Sequence, residues 1–457
     1  MNFDFPKRAH ERVELEAALA ECSRAALIQR GDAAEVEYLF KHVLTQETAY
    51  QSLLRQDRRA LHRQIAQSCE HVFAHNLDEY LALLAHHYTE AGENARAAHY
   101  WTRYGERAMQ ISAFPEAIHA FQHALELLAP APNAERARVY AQLGDVYCRR
   151  TDYDSAQSFF RDALTTAIAA NDATTAATAL SGIARIESQR GNHTRARELG
   201  QEALRWAQDA GDREAIARAY RQLGVSYNYE GKNDLAEENL RASLTLSQEL
   251  DDREGMASSL NSLGVVARDT KAYAQAQLYL EQALALSRAL GDRYGIGIRL
   301  VNLGVLAEQR GDLDAADKYQ HEALSIANEI GDREGAALIH VNLGSLAQSR
   351  GDLDAARQEY RVVLAECAAL GAWALALYTL AALAKWELQR GNFDASAELL
   401  SLALYHPSSS ADIALDFQDV RDELRKKMSQ ADFDAAMERG RALDLQVTVT
   451  RLAAEMK

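Results

Sequence analysis

The chain has little that breaks a helix and little that staples a fold. Five prolines in 457 residues leave long stretches free to be helical, because proline is the residue a helix interior tolerates least. Four cysteines, Cys22, Cys69, Cys148 and Cys367, are scattered without a CxxC pair. That excludes a legible disulfide framework or thiolate zinc site and fits a reducing compartment. No apolar run reaches the roughly eighteen residues a membrane-spanning helix needs, and the opening MNFDFPKRAHERVE lacks the apolar core of a secretory signal. Positive charge is short as well, with 50 Lys and Arg against 66 Asp and Glu and a net charge of −16. So acidic a chain has no surplus of cations to neutralise phosphates, which argues against direct nucleic-acid binding and against docking on anionic membranes. No GxxxxGK[ST] phosphate loop occurs, since Gly231-Lys232 has neither the upstream Gly nor the following Ser or Thr. The expectation is a soluble cytoplasmic protein with no ATPase of its own.

What is abundant is repetition. The stretch 292–331, DRYGIGIRLVNLGVLAEQRGDLDAADKYQHEALSIANEIG, is written almost again at 332–371. Apolar residues recur at helical spacing through two segments of about four turns each, RGDL interrupts the middle, and a Gly-Asp pair closes the unit. This predicts a helix-turn-helix hairpin made for stacking. Taking the small residue of the first helix as a marker, Gly144, Ala184, Gly224, Gly264, Gly304, Gly344 and Ala384 fall forty apart without insertion or deletion. In the same register Ala156, Ala196, Ala236, Ala276, Ala316, Ala356 and Ser396 open the second helices, and Leu164 through Leu404 recur further along. A Gly or Ala on the first helix lets the second approach closely, and the Leu is expected to fill the wedge between hairpins. Gly211, Gly291 and Gly331 can take the left-handed position after a helix, while Asp212, Asp252, Asp292 and Asp332 can cap the next one.

Residues 79–128 contain Trp101, Tyr104, Gly105, Ala117, Phe121, Ala124 and Leu125 at the places where tetratricopeptide repeats carry their packing residues. The chain therefore resembles that family, in a forty-residue form similar to the repeats of bacterial signalling ATPases, MalT-like regulators and animal peptide-binding adaptors. The resemblance implies an all-α, right-handed superhelical solenoid whose first helices line a concave groove. The first 75 residues do not fit the repeat and read as a helix, two short strands parted by Gly31-Asp32, and another helix. The string FKHVLTQETAYQSLLRQDRRALH within them resembles the end of the winged-helix region that precedes tetratricopeptide repeats in STAND-type signalling ATPases. After Tyr405 the pattern changes again, and two or three amphipathic helices are expected to cover the last hydrophobic face. There ADFDAAMERGRALDLQVTVTRLAAE resembles the terminal segment of the same ATPases. The organisation expected is a winged-helix-like remnant over 1–75, a solenoid of about eight repeats over 76–405, and capping helices over 406–457.

Only residues that differ between copies can carry recognition. Two places before the marker stand Gln142, Gln222, Ser262, Asn302 and Asn342, with Gly182 and Ala382 interrupting the series. In peptide-binding relatives an Asn here grips ligand backbone, a carboxamide being able to donate and accept at once. The resemblance carries that role to Asn302 and Asn342, and more weakly to the Gln and Ser positions. The plainer alternative is a row of solvated polar residues. On the same expected face lie Arg138, Arg185, Arg218, Arg221, Asn228 and Arg268, making the amino-terminal half of the groove basic on an acidic protein. Arginine forks meet carboxylate or phosphate bidentately, so an acidic or phosphorylated protein or peptide is the ligand such a face would take. Pairing of these arginines with acids of neighbouring repeats is the competing reading. The carboxyl-terminal half, with Val301, Val305, Val341 and Ser345, is less charged and suits an apolar segment.

Histidines are dense early in the chain. His71/His75 and His119/His123 are spaced to share a helix face, and His86-His87 and His99 add to them. No HExxH arrangement accompanies them, and two histidines are half a site; ordinary packing roles are expected. No catalytic residue, metal or cofactor is nominated. The function expected is non-enzymatic recognition, the sensor or adaptor part of a bacterial signalling system with an ATPase or effector as partner. Metabolite sensing in the manner of MalT-like regulators is the alternative, and oligomeric state is left open.

Overall fold

The computed structural model describes residues 9–25, 27–30, 38–409 and 411–455, and the Gly31-Asp32 turn lies outside them. By internal contacts the chain falls into two compact units, one of residues 1–108 and 115–131 and one of 109–114 and 132–457.

The first unit opens with α1 (Ala9–Arg24), then β1 (Ile28–Arg30) and β2 (Tyr38–Phe40), an antiparallel pair in which Ile28 faces Phe40. Next come α2 (Val43–Ser52), α3 (Arg55–Val72), α4 (Leu81–Ala91), α5 (Asn94–Gln110) and α6 (Phe114–Leu127). Its core holds Ala66, Cys69, Leu84, Ala85, Tyr88, Ala97 and Tyr100. The Tyr88 and Tyr100 rings are stacked with centroids 5.6 Å apart. Gly105 shows the packing rule of the later hairpins, since a Cβ there would lie 2.5 Å from the Phe121 ring.

The second unit is a run of helical hairpins. These are α7 (Ala134–Arg149) with α8 (Tyr153–Ala169), α9 (Ala173–Gln189) with α10 (His193–Ala210), and α11 (Arg213–Tyr229) with α12 (Asn233–Glu249). There follow α13 (Arg253–Asp269) with α14 (Tyr273–Leu290), α15 (Arg293–Gln309) with α16 (Leu313–Ile330), α17 (Arg333–Ser349) with α18 (Leu353–Leu370), and α19 (Trp373–Gln389) with α20 (Phe393–Tyr405). Among the described residues there follow the short α21 (Ala411–Asp416) and then three helices, within the two or three expected: α22 (Gln418–Lys427), α23 (Gln430–Arg441) and α24 (Leu445–Glu455). Phe417, Val420, Leu424, Phe433, Met437, Leu445 and Val449 from these pack into one core with Leu377, Leu380, Leu400 and Ala403. Apolar side chains that a following hairpin would otherwise cover are thereby taken out of water.

Within each hairpin the close approach is made by residues sixteen apart. A Cβ on Gly224, Gly264 or Gly344 would lie 2.5, 2.6 or 2.5 Å from Leu240, Leu280 or Tyr360. The residue beside the marker glycine stands four places, about one helical turn, before the recurrent Leu, which packs toward the following hairpin, Leu284 with Ile296 and Leu300 and Leu364 with Leu377 and Leu380. In the second of these hairpins α9 carries Ala184 at the marker, and a Cβ on Gly200 of α10 would lie 3.0 Å from Leu223 of the following α11. The alanines that open the second helices are buried as expected, Ala156, Ala196, Ala236, Ala276 and Ala356 all being 0 % exposed. Helix starts are capped as the Asp positions predict: the side chains of Asp212, Asp252, Asp292 and Asp332 accept from the backbone N–H three residues on.

No helix among the described residues is long and apolar enough to cross a membrane.

Candidate functional site

The forty-residue period has a geometric consequence for the first helices of the hairpins. Equivalent positions on successive first helices stand side by side, so side chains forty or forty-one residues apart bond to one another. Arg185 of α9 donates to Asp145 of α7 at 2.6 Å, and Arg218 of α11 to the Thr178 hydroxyl of α9 at 3.2 Å. Asn302 of α15 donates to Asn261 of α13 at 2.9 Å, and Asn228 to Asp269 at 3.0 Å.

The ladder gathers charge. Asp145 is held by two guanidiniums, Arg185 and Arg149, the latter with Nε 3.3 Å from Oδ2. Arg149 also reaches past two hairpins to Glu254 at the start of α13, 2.8 Å away, and its guanidinium lies 5.8 Å from the centre of the Tyr294 ring. Tyr294, at the start of α15, is fastened through its backbone N–H to the Ser112 hydroxyl at 3.1 Å and meets the Phe114 ring edge-on. Burial would raise the Asp145 carboxyl, but Arg185 and Arg149 outweigh it and hold it well below the usual carboxylate range. Against the pull of burial, Asp145 and Glu254 raise Arg149, and Cys148 and Asp145 raise Arg185.

Arg221 has no such support. It makes no hydrogen bond or ion pair among the described residues, and burial, with Arg218 next to it, pushes its guanidinium down to about 10. It is still a cation at neutral pH, but one its surroundings disfavour. Arg299 is likewise lowered, by burial first, and is 6 % exposed with its Nε unpartnered.

The other positions singled out in sequence are placed differently. Gln222 is buried, and its amide donates to the Ser188 hydroxyl at 3.2 Å between α9 and α11, so its polar end is turned into the helix packing. Arg268 is neutralised by its neighbour, with Nε and Nη2 3.0 and 2.9 Å from Asp269. Gln142, Asn302 and Asn342 are half-buried, and Arg138 is exposed. The structure thus brings Arg185, Arg218 and Arg221 into one electrostatic neighbourhood and leaves Arg268 outside it.

Sequence reasoning missed Arg149, Tyr294 and Arg299. Arg299 had a signal, because the equivalent places hold Val139, Ala179, Ala219, Ser259 and Ile339, and a lone arginine in a column of small and apolar residues is conspicuous. Arg149 and Tyr294 had none, since their partners lie 105 and 182 residues away.

In the first unit α3 and α4 assemble a histidine cluster that was also not foreseen in this form. His62, His86 and His87 bring a ring nitrogen each within 4.8 Å of one another. His62 Nδ1 is 2.8 Å from His87 Nδ1, and His62 Nε2 is 2.9 Å from the Tyr50 hydroxyl. Burial lowers both rings, His87 to about 4 with His62 and His86 adding to the effect. Of the expected pairs, His119 and His123 do meet at 3.2 Å beside Trp101. His71 and His75 do not share a helix face, because α3 ends at Val72.

The sequence profile of the tetratricopeptide repeat matches residues 96–169, 175–249, 215–289 and 298–365. The chain belongs to the tetratricopeptide repeat family. Its repeats resemble several solved tetratricopeptide proteins. One is a Rap protein in complex with the competence and sporulation factor, at 13 % identity and TM-score 0.57 over 79 % of this chain and 99 % of that one. Another is the STAND protein with a tetratricopeptide repeat sensor, PH0952, from Pyrococcus horikoshii, at 15 % identity and TM-score 0.53 over 89 % and 60 %. A third is the Rap conjugation regulator of plasmid pLS20 with its Phr* peptide, at 14 % identity and TM-score 0.50 over 60 % and 74 %. At these identities the likeness is one of fold. No curated protein sequence matches the chain.

Proposed function

We propose that this protein is a recognition scaffold whose first-helix face, from α7 to α17, takes an acidic protein or peptide segment. The observation that carries the reading is Arg221, a cation beside Arg218 and Arg185 that makes no ion pair among the described residues, Glu254 and Asp252 offsetting the effect of burial and of those arginines only in part. A half-buried cation without an ion-pair partner is disfavoured, and an anionic ligand arriving at this face would supply one. Tetratricopeptide proteins of similar fold support the peptide class: the pLS20 regulator was solved with a peptide, and the Rap protein with a sporulation factor. The similar STAND protein carries its tetratricopeptide repeats as a sensor, which supports the further reading that capture of the ligand is passed to an effector or ATPase partner. In that reading α1, β1 and β2 are the winged-helix-like remnant, and the half-buried Asn302 and Asn342 hold the ligand backbone beyond the basic part.

The test is fluorescence anisotropy with labelled peptides rich in Asp and Glu against the same peptides carrying Asn and Gln. Acidic peptides should bind more tightly, and Arg218→Gln with Arg221→Gln should abolish the difference. Because the Arg221 cation is disfavoured where it sits, Arg221→Gln alone should leave thermal stability unchanged or raise it by up to about 1 kcal/mol. Equal affinity for both peptide sets, or an acid preference that survives the double substitution, overturns the reading.

A further inference from the structure

We propose that His62, His86 and His87 form a binding site for a divalent first-row transition metal, with zinc the ion their donor set fits best. The site lies wholly in the first unit, on α3 and α4, and is independent of the peptide reading.

Three imidazole nitrogens within 4.8 Å of one another are an all-nitrogen donor set. Such a set suits zinc, nickel, copper or cobalt and not magnesium or calcium, which require oxygen. The closest pair, His62 Nδ1 and His87 Nδ1 at 2.8 Å, is bridged by a single proton, since two neutral rings can share only one between them. A metal ion can replace that proton. With metal–nitrogen bonds of about 2.0–2.1 Å the two nitrogens need to part by only a few tenths of an ångström to about half an ångström. Exposed His86 immediately precedes His87 on the same turn of α4 and can complete the set by side-chain rotation.

The surroundings are those of a built site. The Tyr50 hydroxyl, 2.9 Å from His62 Nε2, fixes the orientation of that ring through its outer nitrogen, the usual arrangement behind a metal-bound histidine. Leu53, Leu61 and Ile65 give the cavity an apolar wall, and Glu90 lines it too. The cavity has a volume of about 590 Å³, so a metal held by three histidines would keep a coordination position open to water or to an outside ligand. Bound there, the ion would cross-link α3 to α4.

The experiment uses the full chain without a histidine tag, stripped with a chelator, and Co²⁺ as a spectroscopic probe with Zn²⁺ in competition. One Co²⁺ per chain should bind with visible d–d absorption, and Zn²⁺ should displace it. Replacing the exposed His86 with Ala, which leaves the half-buried Tyr50–His62–His87 hydrogen bonds in place, should weaken binding. The loss should be at least the roughly tenfold to hundredfold that removal of even an outer-shell partner costs. His87→Ala should abolish binding. His119→Ala with His123→Ala should leave it unchanged. The proposal is overturned by absence of a stoichiometric cobalt band, by a band that His86→Ala does not weaken, or by one that disappears in the His119/His123 variant.

Discussion

Arg185 donates through Nη2 to Oδ1 of Asp145 at 2.6 Å, and the two residues stand forty positions apart in the chain. The interval is the repeat period itself. A helical hairpin of constant length places each first helix in register with the last, so that one substitution in one copy meets its counterpart in the next. Recognition in such an array is written along columns of equivalent positions, and Asp145 occupies the column that also holds Arg185.

Asp145→Asn should therefore lower stability, since it removes the shared acceptor charge of Arg149 and Arg185. Hydrogen bonds to charged groups are worth about 1.5–3 kcal/mol, and chemical denaturation should report a loss in that range at pH 7. The carboxyl is depressed in the folded protein, so its contribution is complete above the unfolded carboxylate value near 4. It declines as pH falls from there through the lower folded value. The gap between wild type and variant should accordingly close on acidification below about pH 4. A gap that widened there would contradict the assignment.

Asn302 and Asn342 occupy equivalent places but should respond differently to truncation. Asn302→Ala unpairs Asn261 as well as itself and should cost about 0.5–1.5 kcal/mol. Asn342→Ala should leave the melting temperature nearly unchanged and weaken peptide binding instead. Calorimetry alongside anisotropy separates the two effects.

Gly264→Ala should destabilise by about 1–3 kcal/mol, the usual cost of overpacking a well-filled core. Its new methyl would sit 2.6 Å from Leu280. In a Leu280→Ala background the same change should cost less than half as much, because the clashing atoms are gone. A double-mutant cycle in urea measures the coupling.

Lys271 takes a left-handed backbone, φ 63°, at the hairpin turn where Gly231, Gly311 and Gly351 stand in other copies. A left-handed residue with a Cβ costs about 1–2 kcal/mol, and glycine gives back part of the gain through the unfolded chain. Lys271→Gly should raise stability by about 0.5–1 kcal/mol, read as a shift of the urea midpoint at constant slope.

The sequence alone determined the hairpin, its period, its turns and its caps, because each depends on residues close together in the chain. Gly211 and Asp212 end one helix and start the next by local backbone geometry, and Gly264 announces a close contact through its smallness. The same localness explains what was missed. Smallness at the marker shows that something approaches, but that Leu280 is the residue that does so depends on the rotation of the second helix. Gln222 reads like Asn342 in the column, yet its amide is spent on Ser188 inside the packing.

The charged face was legible only in part. Arg185, Arg218 and Arg221 share a predicted helix face and do come together. That Arg185 is paired, Arg221 unpaired and Arg268 satisfied by Asp269 was decided by tertiary structure. Those outcomes turn on distances of a few ångströms between helices whose residues lie forty or more apart, and Coulomb energies change steeply over that range. The same holds for Arg149 with Glu254 and for His62 with His87, which periodicity could not join because they belong to no common column. Only the stacking of the helices sets them side by side.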